Sequence, residues 1–194
     1  MKEAEAALAK QDPLLGKLIK SQKLEPLQPR SDYFHSLCRS IIGQQVSVAA
    51  ASAIFTRFEA ATKLKPQNFL KLSPEQIKQI GLSQQKANYI RDLAAHFVAD
   101  PGRYNHLEKQ TDEQVIAELT AVKGIGTWTA QMFMIFTLAR PDIFAPDDRG
   151  LQIGLMKLYG LSDLPPKQEL AAMADKWRPY RTVASLHLWR SLGV

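Results

Sequence analysis

The chain has 194 residues, a formal net charge of +6 and a hydrophobic content of 45%. These values are typical of a soluble globular protein with one domain or two small ones, and the basic balance favours a polyanionic partner such as nucleic acid. Cys38 is the only cysteine, which excludes a disulfide, a thiolate zinc site and a four-cysteine iron–sulfur cluster.

No apolar run approaches the roughly 18 residues that a membrane span requires. The N-terminal segment MKEAEAALAKQDP mixes acids and bases and lacks the apolar core of a signal peptide. We therefore expect cytoplasmic residence, which means association with the nucleoid in a bacterium or the nucleus in a eukaryote, and no membrane partner. We expect a monomer, because nothing in the sequence requires a second subunit.

Helix signals recur along the chain, and no segment shows the two-residue alternation of a β-strand. Ser73 and Thr111 each begin a capping box, and Ser83 is the candidate N-cap of a helix that runs through Tyr89 and Phe97. We predict an all-α protein of about ten helices joined by short connections. Breaks are predicted near residues 24–30, 63–67, 100–105, 141–146 and 163–166.

Some features predict only ordinary structure when each is considered alone. Gly43-Gln44-Gln45 interrupts a helix rich in small residues and predicts a tight bend between closely packed helices. The basic C-terminal helix, Arg178 to Arg190, predicts a solvated face. Three tryptophans are expected to be core residues by default: Trp128, Trp177 and Trp189.

Residues 119–136 predict two helices joined by a tight turn at Gly124-Ile125-Gly126, which is the pattern of a helix-hairpin-helix. Glycine tolerates the positive φ of such a turn, and exposed N–H groups at the start of the second helix can bind a phosphate. An ordinary αα-hairpin would show the same two glycines. The surrounding composition favours DNA backbone contact by six residues: Lys123, Gly124, Ile125, Gly126, Thr127 and Thr129.

Asp147 and Asp148 follow Pro146 and precede another predicted helix, which runs from Leu151 to Tyr159. Helix capping needs only one carboxylate, so a pair leaves a second acid near a helix N-terminus that favours its ionised form. An ionised carboxylate in a shielded site is suited to stabilising a glycosyl oxocarbenium ion.

Taken together, these residues resemble the helix-hairpin-helix (HhH-GPD) DNA glycosylase superfamily, and most closely its 3-methyladenine-DNA glycosylase II (alkylpurine) branch. The resemblance covers about residues 33–189. It rests on five segments, IIGQQVSVAAA, GLSQQKANYIRDLA, VKGIGTWTAQMF, FAPDD and WRPYRTVASLHLW.

The resemblance implies two helical lobes with the active-site cleft between them. Residues 1–35 would pack with the C-terminal lobe, and residues 36–135 would form a helical-barrel lobe that ends in the helix-hairpin-helix at about residues 112–135. Residues 136–194 would form the C-terminal lobe with the catalytic aspartate. The N-terminal β-domain of larger relatives would be missing.

The resemblance also implies roles for individual residues. Asp148 takes the place of the catalytic aspartate, and Gln45, with Gln44 beside it, takes the place of the wedge that fills the gap in the duplex. Trp128 occupies the position of the nucleophilic lysine of lyase-active relatives, so no Schiff base could form. The base pocket would contain Trp128, Trp189, Met132 and Asp147.

No cofactor is implied, although the backbone carbonyls of Thr120, Val122 and Ile125 match a site for sodium or potassium. The implied activity is hydrolysis of flipped-out alkylated purines, such as 3-methyladenine and 7-methylguanine, in double-stranded DNA containing damaged bases. Met132 replaces a tyrosine of some relatives, which leaves deaminated or mismatched bases such as hypoxanthine and uracil as alternative substrates. A non-enzymatic helix-hairpin-helix DNA-binding module is the remaining alternative.

Overall fold

The structure is a computed structural model that describes residues 1–193. In this range it contains twelve α-helices, one 3₁₀ turn and no strand, which confirms the all-α prediction. The helix count exceeds the expected ten partly because Asp12 and Pro13 divide the N-terminal helical region into two helices. None of the helices over residues 1–193 has both the length and the apolar character needed to cross a membrane.

The helices divide into two compact units. Residues Arg30–Phe133 form one, which we call the central unit, and Met1–Pro29 together with Met134–Val194 form the other, which we call the discontinuous unit. These boundaries lie at residues 29/30 and 133/134, where the sequence predicted 35/36 and 135/136.

The central unit is built around helix α7 (Gln84–Ala99), which packs against α3 (Tyr33–Gly43) and α5 (Pro66–Leu70). Helix α4 (Val48–Thr62) packs against α3, α5 and α6 (Pro74–Ile80). Its core contains Phe58, Phe69, Ile90 and Leu93, all fully buried. The helices are α3 (Tyr33–Gly43), α4 (Val48–Thr62), α5 (Pro66–Leu70), α6 (Pro74–Ile80), α7 (Gln84–Ala99), α8 (Asp112–Thr120) and the first part of α9 (Thr127–Phe136), with a 3₁₀ turn at Leu107–Lys109 between α7 and α8.

Local capping sets the helix starts of the central unit. The predicted capping boxes at Ser73 and Thr111 are both confirmed, since each hydroxyl accepts the N3 amide and each N3 glutamine accepts the N-cap amide. Ser83 caps α7 through the amide of Lys86, as predicted. Ser47 caps α4 in the same way. These four N-caps satisfy orphan amides at helix starts and fix where each helix begins.

The discontinuous unit places α12 (Arg181–Ser191) against α1 (Lys2–Gln11), α2 (Pro13–Lys20) and α10 (Arg149–Tyr159). The predicted solvated face of the C-terminal helix is wrong for most of its length, because Val183, Ala184, His187 and Leu188 are buried. Close approach at Gly154, where an added Cβ would lie 3.0 Å from Leu188 Cβ, brings α10 and α12 together. The helices are α1 (Lys2–Gln11), α2 (Pro13–Lys20), α10 (Arg149–Tyr159), α11 (Lys167–Asp175) and α12 (Arg181–Ser191).

Candidate functional site

The hairpin between α8 and α9 requires glycine at position 124 for two reasons. Gly124 has a φ of +83°, which L side chains rarely adopt. A Cβ added to Gly124 would also lie 2.2 Å from the ring of Tyr89, so the aromatic ring of α7 packs directly on the turn. Gly126 differs, because no heavy atom lies within 4 Å of the position of an added Cβ. The backbone at Gly126 is therefore open to a ligand.

Two hairpin amides that precede α9 are already hydrogen-bonded within the central unit. The backbone N–H of Lys123 donates to Asp92 Oδ2 at 2.9 Å, and the N–H of Ile125 donates to Val122 O at 3.1 Å. The Lys123 side chain, by contrast, is 79% exposed, with its ammonium 3.9 Å from Asp92. Lys123 can therefore reach a phosphate through its side chain rather than its amide.

The two hairpin threonines lie in different surroundings. Thr127 is the first residue of α9 and is exposed. Thr129 is buried and lines a cavity of the central unit. The sequence predicted DNA backbone contact by both threonines, but two residues along a helix rotate the side chain by about 200°, so Thr129 faces the interior while Thr127 faces solvent.

The predicted bend after α3 is confirmed and carries both glutamines. Gln45 is exposed and has a φ of +55°, a left-handed conformation that is uncommon for a residue other than glycine. Gln44 is not exposed in the way a wedge requires, because its side-chain amide donates to the carbonyl of Gly124 at 3.0 Å. Gln44 therefore ties the bend to the hairpin, and Gln45 is the residue that projects.

Helix α7 supports both the bend and the hairpin from one face. The ammonium of Lys86 donates to the carbonyls of Ile42 at 2.8 Å and Gln44 at 2.6 Å, and burial lowers the pKa of this lysine. Tyr89 and Asp92 follow at three-residue intervals and contact the hairpin. Residues three apart are neighbours on a helix surface, so Lys86, Tyr89 and Asp92 form a continuous row along α7 that supports the two segments.

A cavity of about 490 Å³ lies in the central unit next to the bend. This volume is in the range of about 300–1,000 Å³ that small-molecule sites occupy. Trp128 is 41% exposed and offers an aromatic wall. Arg39 also lines the cavity, with its guanidinium carbon 5.3 Å from the centroid of Phe55. The lining residues are Arg39, Ser40, Gly43, Gln44, Gln45, Trp128, Thr129 and Met132.

In the discontinuous unit, Asp148 is the N-cap of α10. Its Oδ1 accepts the amide of Leu151 and the indole N–H of Trp189, both at 2.8 Å. The preceding turn is closed by a bond from the Asp148 amide to Ala145 O at 3.0 Å, and Gln152 donates to Pro146 O at 2.9 Å. These bonds fix the orientation of the carboxylate.

The two acids of the pair have separate surroundings. Asp147 is exposed and forms an ion pair with Lys167, whereas Asp148 is half-buried. The sequence predicted that one acid would cap the helix and leave the other for chemistry. The cap is Asp148 itself, so the residue assigned as catalytic by the resemblance is also the one that the helix holds in place.

Trp189 contacts Asp148 rather than presenting an open face. Its ring stacks on Phe136 with centroids 5.6 Å apart, and only 8% of the residue is exposed. A Cβ added at Gly150 would lie 2.9 Å from the indole, so glycine at this position allows the ring to approach α10. The burial of Trp189 confirms the core position expected from the sequence, and its indole N–H holds the carboxylate of Asp148; its place in the base pocket stays a prediction of the resemblance.

The carbonyls predicted to hold a monovalent cation belong to the hairpin and its preceding turn. Val122 O accepts the amide of Ile125, which leaves one of its two lone pairs for another partner. The Thr120 hydroxyl donates to Ile116 O at 2.7 Å. Neutral carbonyl oxygens without a carboxylate suit sodium or potassium better than a divalent ion. Within residues 1–193, His, Cys, Asp and Glu form no group of three or more suited to a metal.

Sequence reasoning did not assign the contacts that four residues make in this region: Arg39, Lys86, Tyr89 and Asp92. The last three lie within the segment GLSQQKANYIRDLA, and their three-residue spacing indicates a shared helix face. That spacing identifies the face but not its partners, because the bend lies 42–44 residues from Lys86 in the chain.

Comparison with known proteins identifies the family and the fold. The family model described as "HhH-GPD superfamily base excision DNA repair protein" matches residues 38–179. The 3-methyladenine DNA glycosylase Mag1 of Schizosaccharomyces pombe, solved in complex with abasic DNA, superimposes with a TM-score of 0.87 at 27% identity, over 99% of this chain and 97% of that one.

Two further proteins show the same likeness. A DNA-3-methyladenine glycosidase from Bacillus halodurans has a TM-score of 0.83 at 39% identity, over 97% of this chain and 88% of that one. The YfjP protein of Bacillus subtilis is 30% identical over 176 residues, which are 86% of this chain, and the chain spans 61% of its length. The match of the family model to most of the chain shows that this protein belongs to the HhH-GPD superfamily of base excision DNA repair proteins.

Proposed function

We propose that the protein is a monofunctional DNA glycosylase that hydrolyses the N-glycosidic bond of flipped-out alkylated purines and leaves an abasic site. The observation that carries this proposal is the carboxylate of Asp148, held on Oδ1 by the Leu151 amide and the Trp189 indole. Membership of the HhH-GPD superfamily and the likeness to two 3-methyladenine DNA glycosylases support it.

Asp148 acts on the sugar. Loss of the base develops positive charge on the deoxyribose, and a carboxylate whose orientation is already fixed stabilises that charge without reorganisation. A purine alkylated at N3 or N7 is cationic and leaves readily, so the reaction requires little general-acid catalysis. The attacking nucleophile is water, which the same carboxylate can orient.

Trp128 excludes the lyase pathway. Lyase-active relatives need an amine at this position to attack the sugar and form a Schiff base, and an indole has no nucleophilic nitrogen for that step. The product is therefore an intact strand with an abasic site. The indole instead lines the cavity of the central unit, where its face would attract a cationic purine by about 1–2 kcal/mol once desolvated.

DNA binding uses the hairpin and the bend. The exposed ammonium of Lys123 and the open backbone at Gly126 contact phosphates near the lesion. The lesion nucleotide rotates out of the helix, at a cost that falls when alkylation weakens its pairing. The exposed side chain of Gln45 enters the space it leaves.

The carbonyls of Thr120, Val122 and Ile125 would hold a sodium or potassium ion, which would supply positive charge beside the phosphate bound at the hairpin. Val122 and Ile125 are buried, and the turn between them is closed by their backbone hydrogen bond. The proposed cation therefore strengthens backbone binding and takes no part in bond cleavage.

One observation favours a second substrate class. Arg39 lines the cavity, and a guanidinium donates hydrogen bonds to neutral purines while repelling cationic ones. Hypoxanthine, a neutral base with a carbonyl acceptor, is therefore the alternative substrate that the cavity supports best.

The test is release of free base from methylated duplex DNA, scored for 3-methyladenine and 7-methylguanine, with a hypoxanthine duplex in parallel. We expect release of the alkylated bases, strand breaks only after alkali, and no covalent complex trapped by borohydride. Release of hypoxanthine alone would favour the second substrate class. Trapping by borohydride would contradict the monofunctional mechanism, and tight DNA binding without release of any base would indicate a binding module.

A further inference from the structure

The bend that carries Gln45 ends helix α3 with a left-handed residue, and the Gln44 amide donates to Ile41 O at 3.3 Å. Helix α3 ends at Gly43, and the last carbonyls of a helix need partners from outside it. The ammonium of Lys86 supplies donors to Ile42 O at 2.8 Å and Gln44 O at 2.6 Å. A lysine at this end of the helix is also favoured by the helix dipole.

Gln45 occupies a conformation that must be held by its neighbours. Its φ of +55° lies in the left-handed region, where the Cβ of a residue other than glycine approaches the following carbonyl oxygen and strains the backbone. The chain before it is tied by Lys86 and by the bond from Gln44 to Gly124 O, and the chain after it by the Ser47 cap of α4. Such strain persists only where the surrounding contacts determine the geometry.

Lys86 is distinguished from a phosphate-binding lysine by its contacts. Its ammonium has three donors, and two of them point to carbonyls inside the central unit. The Lys123 ammonium, 79% exposed and 3.9 Å from Asp92, can by contrast reach a phosphate at the hairpin. Lys86 therefore acts on the shape of the bend, which is also one wall of the cavity through Gly43, Gln44 and Gln45.

We infer that Lys86 is a positioning residue that holds the Gln45 bend in the geometry needed to extrude the lesion base. This inference rests on the proposed function. Without the ammonium, the carbonyls of Ile42 and Gln44 lose their donors and Gln45 relaxes from the left-handed conformation. The hairpin still binds DNA, but the side chain that fills the vacated space is displaced.

The test compares Lys86→Met with Lys86→Arg, and uses Lys78→Met on the exposed face of α6 as the charge-matched control. Single-turnover release of 7-methylguanine is measured from two duplexes, one with the lesion paired and one with an abasic analogue opposite the lesion. Extruding the unpaired lesion costs less free energy. We expect Lys86→Met to slow release on the order of tenfold from the paired duplex and much less from the other, because misplacement mainly affects the extrusion step. Lys86→Arg should restore most of the rate, and Lys78→Met should match the wild type.

Extrusion is also measured independently of bond cleavage, by the fluorescence of 2-aminopurine placed beside an abasic analogue in the duplex. A wild-type fluorescence rise that is lost in Lys86→Met and retained in Lys86→Arg supports the inference even if no base is released, in which case only the proposed function fails. Equal rises in the wild type and Lys86→Met overturn the inference alone. The absence of a rise in the wild type overturns both.

Two controls keep the result interpretable. Gln44→Leu removes the second tie of the bend, so it should show the same contrast between the two duplexes even if Lys86→Met proves unstable. The salt dependence of DNA binding should not change in Lys86→Met. A decrease of the salt slope by about one would show that Lys86 contacts a phosphate and would overturn the inference.

Discussion

Asp12 and Asp148 are built alike, although one maintains the fold and the other is assigned to chemistry. Both lie in the discontinuous unit, and each is the N-cap of a helix, α2 for Asp12 and α10 for Asp148. Each also accepts an indole N–H, from Trp177 at 2.9 Å and from Trp189 at 2.8 Å. A helix cap supported by tryptophan therefore does not by itself indicate function.

The surroundings of the two carboxylates differ. Asp12 is 3% exposed, and its Oδ2 accepts bonds from Tyr159 and Trp177 with the Lys176 ammonium at 3.3 Å. Burial raises the pKa of Asp12, but the hydrogen bonds from Tyr159 and Trp177 outweigh it, and the pKa lies below its ordinary value. This carboxylate is sealed and stabilises the fold.

Asp148 is half-buried, and its bonds to Leu151 and Trp189 both reach Oδ1. Those two donors orient the group without sealing it from solvent. Exposure therefore distinguishes the two aspartates where sequence and capping do not.

Replacing the two aspartates by alanine should affect the free energy of unfolding to very different extents. Asp12→Ala leaves the buried indole of Trp177 and the half-buried hydroxyl of Tyr159 without their acceptor, and should lower the free energy of unfolding by about 3 kcal/mol. Asp148→Ala should lower it by about 1 kcal/mol, the usual cost of losing a cap. Urea denaturation of both variants measures the difference, and equal losses would contradict the separation of roles.

A smaller effect is expected from the two tryptophans. Trp189→Phe keeps an aromatic ring on Phe136 but removes the N–H that orients Asp148, and should slow base release about tenfold, or about 1.4 kcal/mol. Trp177→Phe, the matched control, should leave the release rate of the folded protein unchanged and lower its free energy of unfolding by about 1 kcal/mol. Single-turnover kinetics and urea denaturation are measured on both. A Trp189→Phe variant with the wild-type rate would show that the indole does not orient the carboxylate.

Sequence reasoning succeeded where the determinants are local. The capping boxes at Ser73 and Thr111 and the turn at Gly124 depend on residues within a few positions, so composition and spacing predicted them. The bend at Gln45 was predicted for the same reason.

Contacts between distant segments were not predictable in this way. The bond from Gln44 to Gly124 joins residues 80 apart, and the bond from Trp189 to Asp148 joins residues 41 apart. Periodicity indicates which side of a helix is buried but not which partner it meets. The resemblance placed Gln44 beside the wedge and Trp189 in the base pocket, and the structure adds contacts from these residues to Gly124 and Asp148 that no local pattern predicted.

We propose, as the centre of this account, that the Asp148 carboxylate stabilises the positive charge that develops on the deoxyribose as the N-glycosidic bond breaks. The most direct test is single-turnover release of 7-methylguanine by the wild type and Asp148→Asn, with DNA affinity measured on the same preparations. We predict a loss of release on the order of a thousandfold with affinity nearly unchanged, because the amide keeps the cap acceptor but lacks the negative charge. Release by Asp148→Asn at the wild-type rate, or a loss of affinity in proportion to the loss of release, would contradict the account.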